Sequence, residues 1–325
     1  MAISPRFDLD GQPATRRILW AGEVATIEVE GWPADTRTIY VDADAGSDSN
    51  PGTDPAAAMR TVASAMNSWT TPHTRILLKA GQEHGVGLST VRLSDKPGPG
   101  EVGRYGEGAN PVVVSGVGFY GAAFTFGPTW DVRIRDVDCR SISQADQSCG
   151  VRLGGETRSV LIRGVRQFTA PDSAACGHHF ASSPDGQQGR CIVFDRCTPR
   201  WGDYSYYLVD VADFAITRSR WEGQDGAIRP DGTPTTEFHH FWRSKGPRWF
   251  TMSDSLVPSV FTYVPADTSV SNEPNRVSPW GLCIERCDLH DIRTIGVKGA
   301  TIRNCHGLRW VSNVNANWTF DGSTI

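Results

Sequence analysis

The hexapeptide Val132-Arg133-Ile134-Arg135-Asp136-Val137 is the first of eight copies of one pattern, and that pattern decides the fold. In each copy of six residues, the first and third are apolar. The fourth follows the second apolar residue, the fifth is the turn position, and the sixth is small or β-branched. The second apolar residues of the copies are Ile134, Ile162, Phe194, Ile216, Met252, Ile284, Ile302 and Phe320. Both apolar positions are filled in every copy although the chain is only 39% hydrophobic, so the period of two predicts strands with one buried face.

The distances between copies run from 18 to 36 residues, which is too irregular for leucine-rich or ankyrin arrays. They suit a chain that lays one strand on the previous strand in every turn and joins the strands through loops of unequal length. The pattern therefore predicts an all-β fold, a single-stranded parallel β-helix. The turn position favours sharp corners in five copies, with Asp136, Gly164, Asp254, Asn304 and Gly322. The other three copies have Arg196, Arg218 and Arg286, which are not typical of such a corner.

The N-terminal third has a different pattern. We predict a lead at residues 1–38 and one β-helix domain at 39–325, with a cap helix at about 55–69 and repeated coils at about 110–325. Asp54 is a good helix N-cap and Pro55 a good first helical residue. The helix would cover the open end of the coil, where both core and strand edge are exposed.

The opening of this domain resembles a known superfamily. Its residues are Tyr40-Val41-Asp42, then Gly46 to Thr53, then Ile76-Leu77-Leu78-Lys79-Ala80-Gly81. They are similar to the opening of right-handed parallel β-helix proteins of the pectate-lyase-like superfamily. The resemblance implies a right-handed coil, a capping helix and a carbohydrate-related role, since the superfamily includes polysaccharide lyases, glycoside hydrolases, uronate epimerases and phage tailspikes. None of the family active-site motifs occurs here, so no residue inherits a role.

Composition limits the partners. The net charge of -4 and the absence of a Lys/Arg-rich run argue against a nucleic-acid partner, and no apolar run reaches the length of a membrane span. The first residues do not resemble a secretory signal, yet a glycan partner predicts an extracellular or cell-surface location, with a virion as the alternative. The last strand leaves almost no residues to cover its end, which predicts a missing C-terminal cap or a homo-oligomer, a trimer if the protein is tailspike-like.

The eight cysteines have two interpretations. Cys197, Cys287 and Cys305 share the inward position after the turn, where a thiol packs as a small hydrophobe. A disulfide between Cys287 and Cys305 on adjacent coils is the alternative. No pair has CxxC spacing, so no zinc site is expected.

The longest gaps between copies predict the functional region, at residues 176–263, because loops on a rigid coil usually carry function. For β-elimination on a uronate we expect Lys245 or His239 as base and Tyr206 as proton donor. Arg229 or Arg243 would neutralise the carboxylate. The residues expected to contact the substrate are Tyr204, Trp242, His179, Asp203 and Asp225. If Phe180 and Phe238 point inward, alternation places His179 and His239 outward, and the opposite register of the second segment stays open.

Other functions are compatible with the same segments. An inverting hydrolase would take its carboxylates from Asp203, Asp225, Asp231 and Glu237. His179 and His239 with a nearby Asp could bind a metal ion, although no spacing here is characteristic of a metal site. We expect no cofactor, with a calcium ion left open in the absence of a motif. A glycan-binding or structural rod without catalysis is the non-enzymatic alternative.

Overall fold

The structure is a computed structural model. It describes residues 32–86, 90–115, 122–141, 149–154, 157–169, 178–182, 189–200, 204–207, 211–220, 239–242, 248–263, 280–295, 298–306, 310–314 and 318–321. In chain order, its strands are β1 (Arg37–Val41), β2 (Thr74–Lys79), β3 (Glu83–Gly85), β4 (Val91–Arg92), β5 (Gly100–Tyr105), β6 (Val112–Ser115), β7 (Ala122–Phe126), β8 (Thr129–Arg135), β9 (Asp138–Ser141), β10 (Cys149–Leu153), β11 (Thr157–Arg163), β12 (Arg166–Thr169), β13 (His178–Ser182), β14 (Gly189–Asp195), β15 (Thr198–Arg200), β16 (Tyr204–Tyr207), β17 (Val211–Thr217), β18 (His239–Trp242), β19 (Arg248–Ser253), β20 (Leu256–Tyr263), β21 (Trp280–Glu285), β22 (Asp288–Ile295), β23 (Lys298–Arg303), β24 (Trp310–Val314) and β25 (Trp318–Asp321).

These strands form three parallel sheets, which we call sheets A, B and C. Sheet A has eleven strands in the order β1-β2-β5-β8-β11-β14-β17-β19-β21-β23-β25. Sheet B has nine, in the order β4-β7-β10-β13-β16-β18-β20-β22-β24, and sheet C has five, in the order β3-β6-β9-β12-β15. From β2 to β17 each coil visits A, then C, then B, and returns to A one strand further along, whereas the described strands from β17 onward alternate between A and B. The fold is therefore a single-stranded parallel β-helix, as the repeated pattern predicted.

The eight copies of the pattern form the last eight strands of sheet A, in chain order. Their second apolar residues align in register from Ile134 through Ile162 and Phe194 to Phe320. Those with described side chains, from Ile134 to Ile302, are fully buried and belong to one continuous core. The alignment by spacing is confirmed.

The corner after each copy has left-handed backbone in seven successive coils, with φ from 49° to 62°, at Asp136, Gly164, Arg196, Arg218, Asp254, Arg286 and Asn304. The expectation that arginine would be atypical here was wrong. The left-handed conformation costs a non-glycine residue about 1–2 kcal/mol. Backbone bonds to the next coil offset it, since the Arg196 N–H donates to Thr217 O at 3.0 Å and the Arg218 N–H to Ser253 O at 3.0 Å.

Two of these arginines also form ion pairs. The fully buried Asp195 carboxylate accepts Nε and Nη2 of Arg218 at 2.7 and 2.6 Å and Thr217 Oγ1 at 2.9 Å. Nε of the buried Arg163 lies 3.5 Å from the same carboxylate. Arg286 makes the equivalent two-bond contact with Asp254 at 2.6 and 2.8 Å, but both of those side chains are 40% exposed.

The predicted cap helix is shorter than expected. Asp54 caps only a 3-10 helix at Pro55–Ala57, and the α-helix α1 is Val62–Ser68, with Thr61 as its N-cap. The intervening Met59 pairs with the chain instead, because its N–H donates to Tyr40 O at 2.9 Å and its carbonyl accepts from Asp42 N at 2.8 Å. Backbone pairing with β1 therefore replaces the first turn of the predicted helix. Among the residues described, no helix is long and apolar enough to span a membrane.

The core interpretation of the cysteines agrees with the structure. Cys197, Cys287 and Cys305 are fully buried free thiols at the inward position after the corner. Burial raises the thiol pKa of Cys197 and that of Cys287. The alternative disulfide between Cys287 and Cys305 is not formed.

Candidate functional site

The functional region predicted from the long gaps includes β13, β16, β18 and β20 of sheet B. Where the side chains of this sheet are described, its strands alternate between a buried and a surface register position. Phe124 and Val151 share one position and are fully buried. The next position holds Arg92, which is exposed, and Thr125 and Arg152, which are partly exposed. We call these two positions the buried column and the surface column.

The register extends both columns through the functional region. By register, the position of Val151 is followed by Phe180, Tyr206 and His239, and we keep the name buried column for this register position alone. The surface column is formed by Arg92, Thr125, Arg152, Ala181, Tyr207, His240, Phe261, Arg293 and Ser312. Parallel strands lie about 4.8 Å apart, so three successive members of a column span about 10 Å.

The structure brings two predicted catalytic residues together and moves them to an unexpected column. Tyr206 and His239 are direct register partners on adjacent coils. They share their register position with Phe180, whereas His179 precedes Phe180 by one residue. This is the register that the sequence left open as the alternative for the second segment, since a shift by one residue exchanges the faces. The directions and roles of the two imidazoles stay predictions.

The same register bears on the metal hypothesis. His179 and His239 are not at the same register position, and a metal site that contains both stays a prediction. Within the described parts of the chain, no group of three or more His, Cys, Asp or Glu residues could hold a metal ion.

The remaining site predictions divide into two groups. Tyr204 lies in β16 opposite His178, and Trp242 lies in β18 opposite Tyr263, at register positions separate from that of Tyr206 and His239. Outside the described residues fall Asp203, Asp225, Arg229, Asp231, Glu237, Arg243 and Lys245. The roles expected of these seven residues stay predictions.

The residues that sequence reasoning missed are those of the surface column. Tyr207, His240 and Phe261 occupy it on three consecutive coils, and Arg293 follows on the next. Tyr207 and His240 each lie one residue after a member of the buried column, Tyr206 and His239. The signal that could have found them is the fixed inward position of Val151 and Phe180, counted forward coil by coil.

A cleft of about 600 Å³ lies where sheet B meets helix α1, at the Arg92 end of the surface column. Val62, Met66 and Val91 give it an apolar floor, and Lys96 lies at its border. Lys96 Nζ donates to Met66 O at 2.7 Å, and burial lowers the pKa of this ammonium group. This lysine therefore caps the carbonyl end of α1.

No protein-family model and no curated protein sequence matches the chain. Similar solved structures include ORF18 of Geobacillus virus E2, which is 12% identical, with 98% of this chain and 69% of that chain covered and a TM-score of 0.49. Pectate lyase Pel9A is 13% identical, with 90% and 79% covered and a TM-score of 0.44. A rhamnogalacturonan lyase is 12% identical, with 86% and 84% covered and a TM-score of 0.40. The strand register establishes the β-helix independently, and these similarities transfer no residue role to this chain.

Proposed function

We propose that this protein binds an acidic polysaccharide along the surface column of sheet B and cleaves it by β-elimination. The observation that carries the proposal is the succession of Tyr207, His240 and Phe261 on three adjacent coils, followed by Arg293. Aromatic, imidazole and guanidinium side chains are suited to bind an acidic sugar chain. Four separate parts of the chain bring these residues to one register position.

Binding follows from the residue types. The flat faces of Tyr207 and Phe261 suit apolar contact with sugar rings. The planar guanidinium of Arg293 suits a two-bond contact with a carboxylate. Rigid parallel strands hold these residues at intervals of about 4.8 Å, so a glycan would meet a preformed row of contacts.

The reaction needs a base, an acid and a group that stabilises the carboxylate. His240 would take the proton from the carbon next to the uronate carboxylate, since an imidazole is a suitable general base at neutral pH. The electron pair forms a carbon–carbon double bond as the glycosidic carbon–oxygen bond breaks. Tyr207, on the adjacent coil, would protonate the departing oxygen, and Arg293 would neutralise the carboxylate during the step.

The test is to incubate the protein with a panel of uronate polysaccharides and to follow the ultraviolet absorbance of the unsaturated product. A single general base or acid typically contributes about 10²–10⁴-fold, so we expect His240→Gln and Tyr207→Phe each to lower the rate at least about 100-fold. The matched controls are His239→Gln and Tyr206→Phe, which change the same residue types in the buried column. Loss of activity in the controls alone would return the catalytic role to Tyr206 and His239.

Binding is measured separately with the same panel. If Tyr207→Ala and Phe261→Ala abolish binding while the wild-type protein forms no unsaturated product, the protein is a glycan-binding rod and the elimination step is refuted. A glycan partner of this kind supports an extracellular, cell-surface or virion location.

A further inference from the structure

A second column of distinctive composition runs along the surface of sheet A, near the beginning of its strands. Seven consecutive coils contribute one residue each, in the order Trp130, Arg158, Arg190, Ala212, Arg248, Trp280 and Lys298. Four of the seven are basic, two are tryptophan and none is acidic. We call this set the basic column.

The exposed character of this position is visible where side chains are described. Trp130 is 59% exposed and Arg158 is exposed, whereas Val132 and Val160, two residues further along the same strands, are fully buried. The residue between them has left-handed backbone in both strands, with φ of 51° at Asp131 and 55° at Ser159. In these two strands the second residue therefore lies at the surface and the fourth in the core.

The basic column combines two residue types. Arg158 and Arg190 are direct register partners, so two cationic residues follow each other on neighbouring coils. Trp130, the register partner of Arg158, exposes a large apolar ring. A ligand that brings both negative charge and a flat apolar surface would match both residue types.

We propose that the basic column binds a linear acidic glycan that runs across the coils. Arg158, Arg190, Arg248 and Lys298 would pair with its carboxylate or sulfate groups, and Trp130 and Trp280 would lie against sugar rings. This site is on a different sheet from the one proposed for cleavage. It would hold the polymer outside the reaction centre and goes beyond the function proposed above.

Charge density favours a glycan over a nucleic acid. The seven positions span about 29 Å, and the three gaps between the four cations, from Arg158 to Lys298, average about 8 Å. A nucleic-acid strand carries one charge about every 3.4 Å, a denser array than the column can match. The net charge of -4 also opposes long-range attraction of a dense polyanion.

The experiment measures binding of polygalacturonate oligomers and of a sulfated glycan to the full chain by calorimetry at several salt concentrations. We expect Arg190→Gln/Arg248→Gln to weaken binding at least about tenfold, because each contact between a guanidinium and an anion is a charge-assisted bond. The dependence of log affinity on log salt should fall by about two, one for each lost contact. Trp280→Ala should weaken binding severalfold without changing the salt dependence.

The matched control is Arg60→Gln/Arg104→Gln, which removes the same charge from exposed positions outside the basic column. Circular dichroism and the melting temperature verify that each variant is folded. An unchanged affinity in Arg190→Gln/Arg248→Gln, or an equal loss in the control, would falsify the site. Tighter binding of a single-stranded oligonucleotide with the same dependence on Arg190 and Arg248 would overturn the glycan as its ligand. His240→Gln should leave the affinity of the basic column unchanged. A failure of the cleavage proposal can therefore be distinguished from a failure of this binding site.

Discussion

Replacement of Asp195 by alanine tests whether buried ion pairs at the corners stabilise the stack of coils. The fully buried Asp195 carboxylate contacts Arg218 through two bonds and approaches the nearly buried Arg163. Asp195→Ala leaves the Arg163 guanidinium buried without this carboxylate. Removing one partner of a buried pair typically costs about 3–5 kcal/mol. We therefore expect a destabilisation of about 4 kcal/mol.

That free energy converts into a measurable shift of the melting temperature. A chain of 325 residues has an unfolding entropy of about 0.7 kcal/mol/K, so about 4 kcal/mol corresponds to about 6 °C. Thermal unfolding followed by near-ultraviolet circular dichroism measures the shift.

Asp254→Ala is the matched control, because the Asp254–Arg286 pair has the same two-bond geometry but is 40% exposed on each side. An exposed pair contributes at most about 1 kcal/mol, which corresponds to a shift of about 1.5 °C. A shift for Asp254→Ala equal to or larger than that for Asp195→Ala would refute the assignment of the effect to burial.

Three further predictions concern the packing and titration of buried groups. Gly100→Ala should destabilise the N-terminal cap by about 1–3 kcal/mol in urea unfolding, because the new Cβ would lie 1.9 Å from Cζ2 of the buried Trp69. The control is Gly85→Ala, whose Cβ would meet no atom within 4 Å, so its free energy of unfolding should be almost unchanged. Burial lowers the pKa of the His84 imidazole, so this side chain binds a proton more weakly in the folded chain than in the unfolded chain. The free energy of unfolding should therefore decline as the pH falls below about 6.5. His84→Val should remove that part of the decline in melts at pH 5 and pH 7.5, and an unchanged decline would contradict this origin. Cys197 should resist iodoacetamide in the folded protein and react after urea unfolding, because it is buried and burial raises its thiol pKa. Peptide mass spectrometry measures the labelling. Rapid labelling of the folded protein would contradict the prediction and show that the interior opens.

The sequence was most informative where one face of a strand is buried. Ile162 and Phe194 could be aligned across a gap of 32 residues because the core admits only apolar side chains at that position. The corner was predicted less well, since the left-handed Arg218 is held by a backbone bond to the next coil and by an ion pair with Asp195. Both partners are distant in sequence.

The candidate site was harder to predict for the same reason. Tyr206 and Tyr207 are adjacent in a strand, and composition cannot tell which of them shares the column of Val151. The basic column was not visible at all, because Arg158 and Arg190 are 32 residues apart in sequence and form no basic run. In a coil of this kind, surface chemistry is defined across the strands, and only the register reveals it.

The repeated left-handed corner has a consequence for how such a chain changes in evolution. Because the corner residue of each coil makes the same type of backbone bond to the next coil, from Gly164 through Arg286, the coils are structurally interchangeable there. A duplicated or deleted coil would rejoin the stack without a new kind of junction. The rod could therefore lengthen or shorten in steps of about 4.8 Å, and each step would add or remove one contact from every ligand-binding row on its surface.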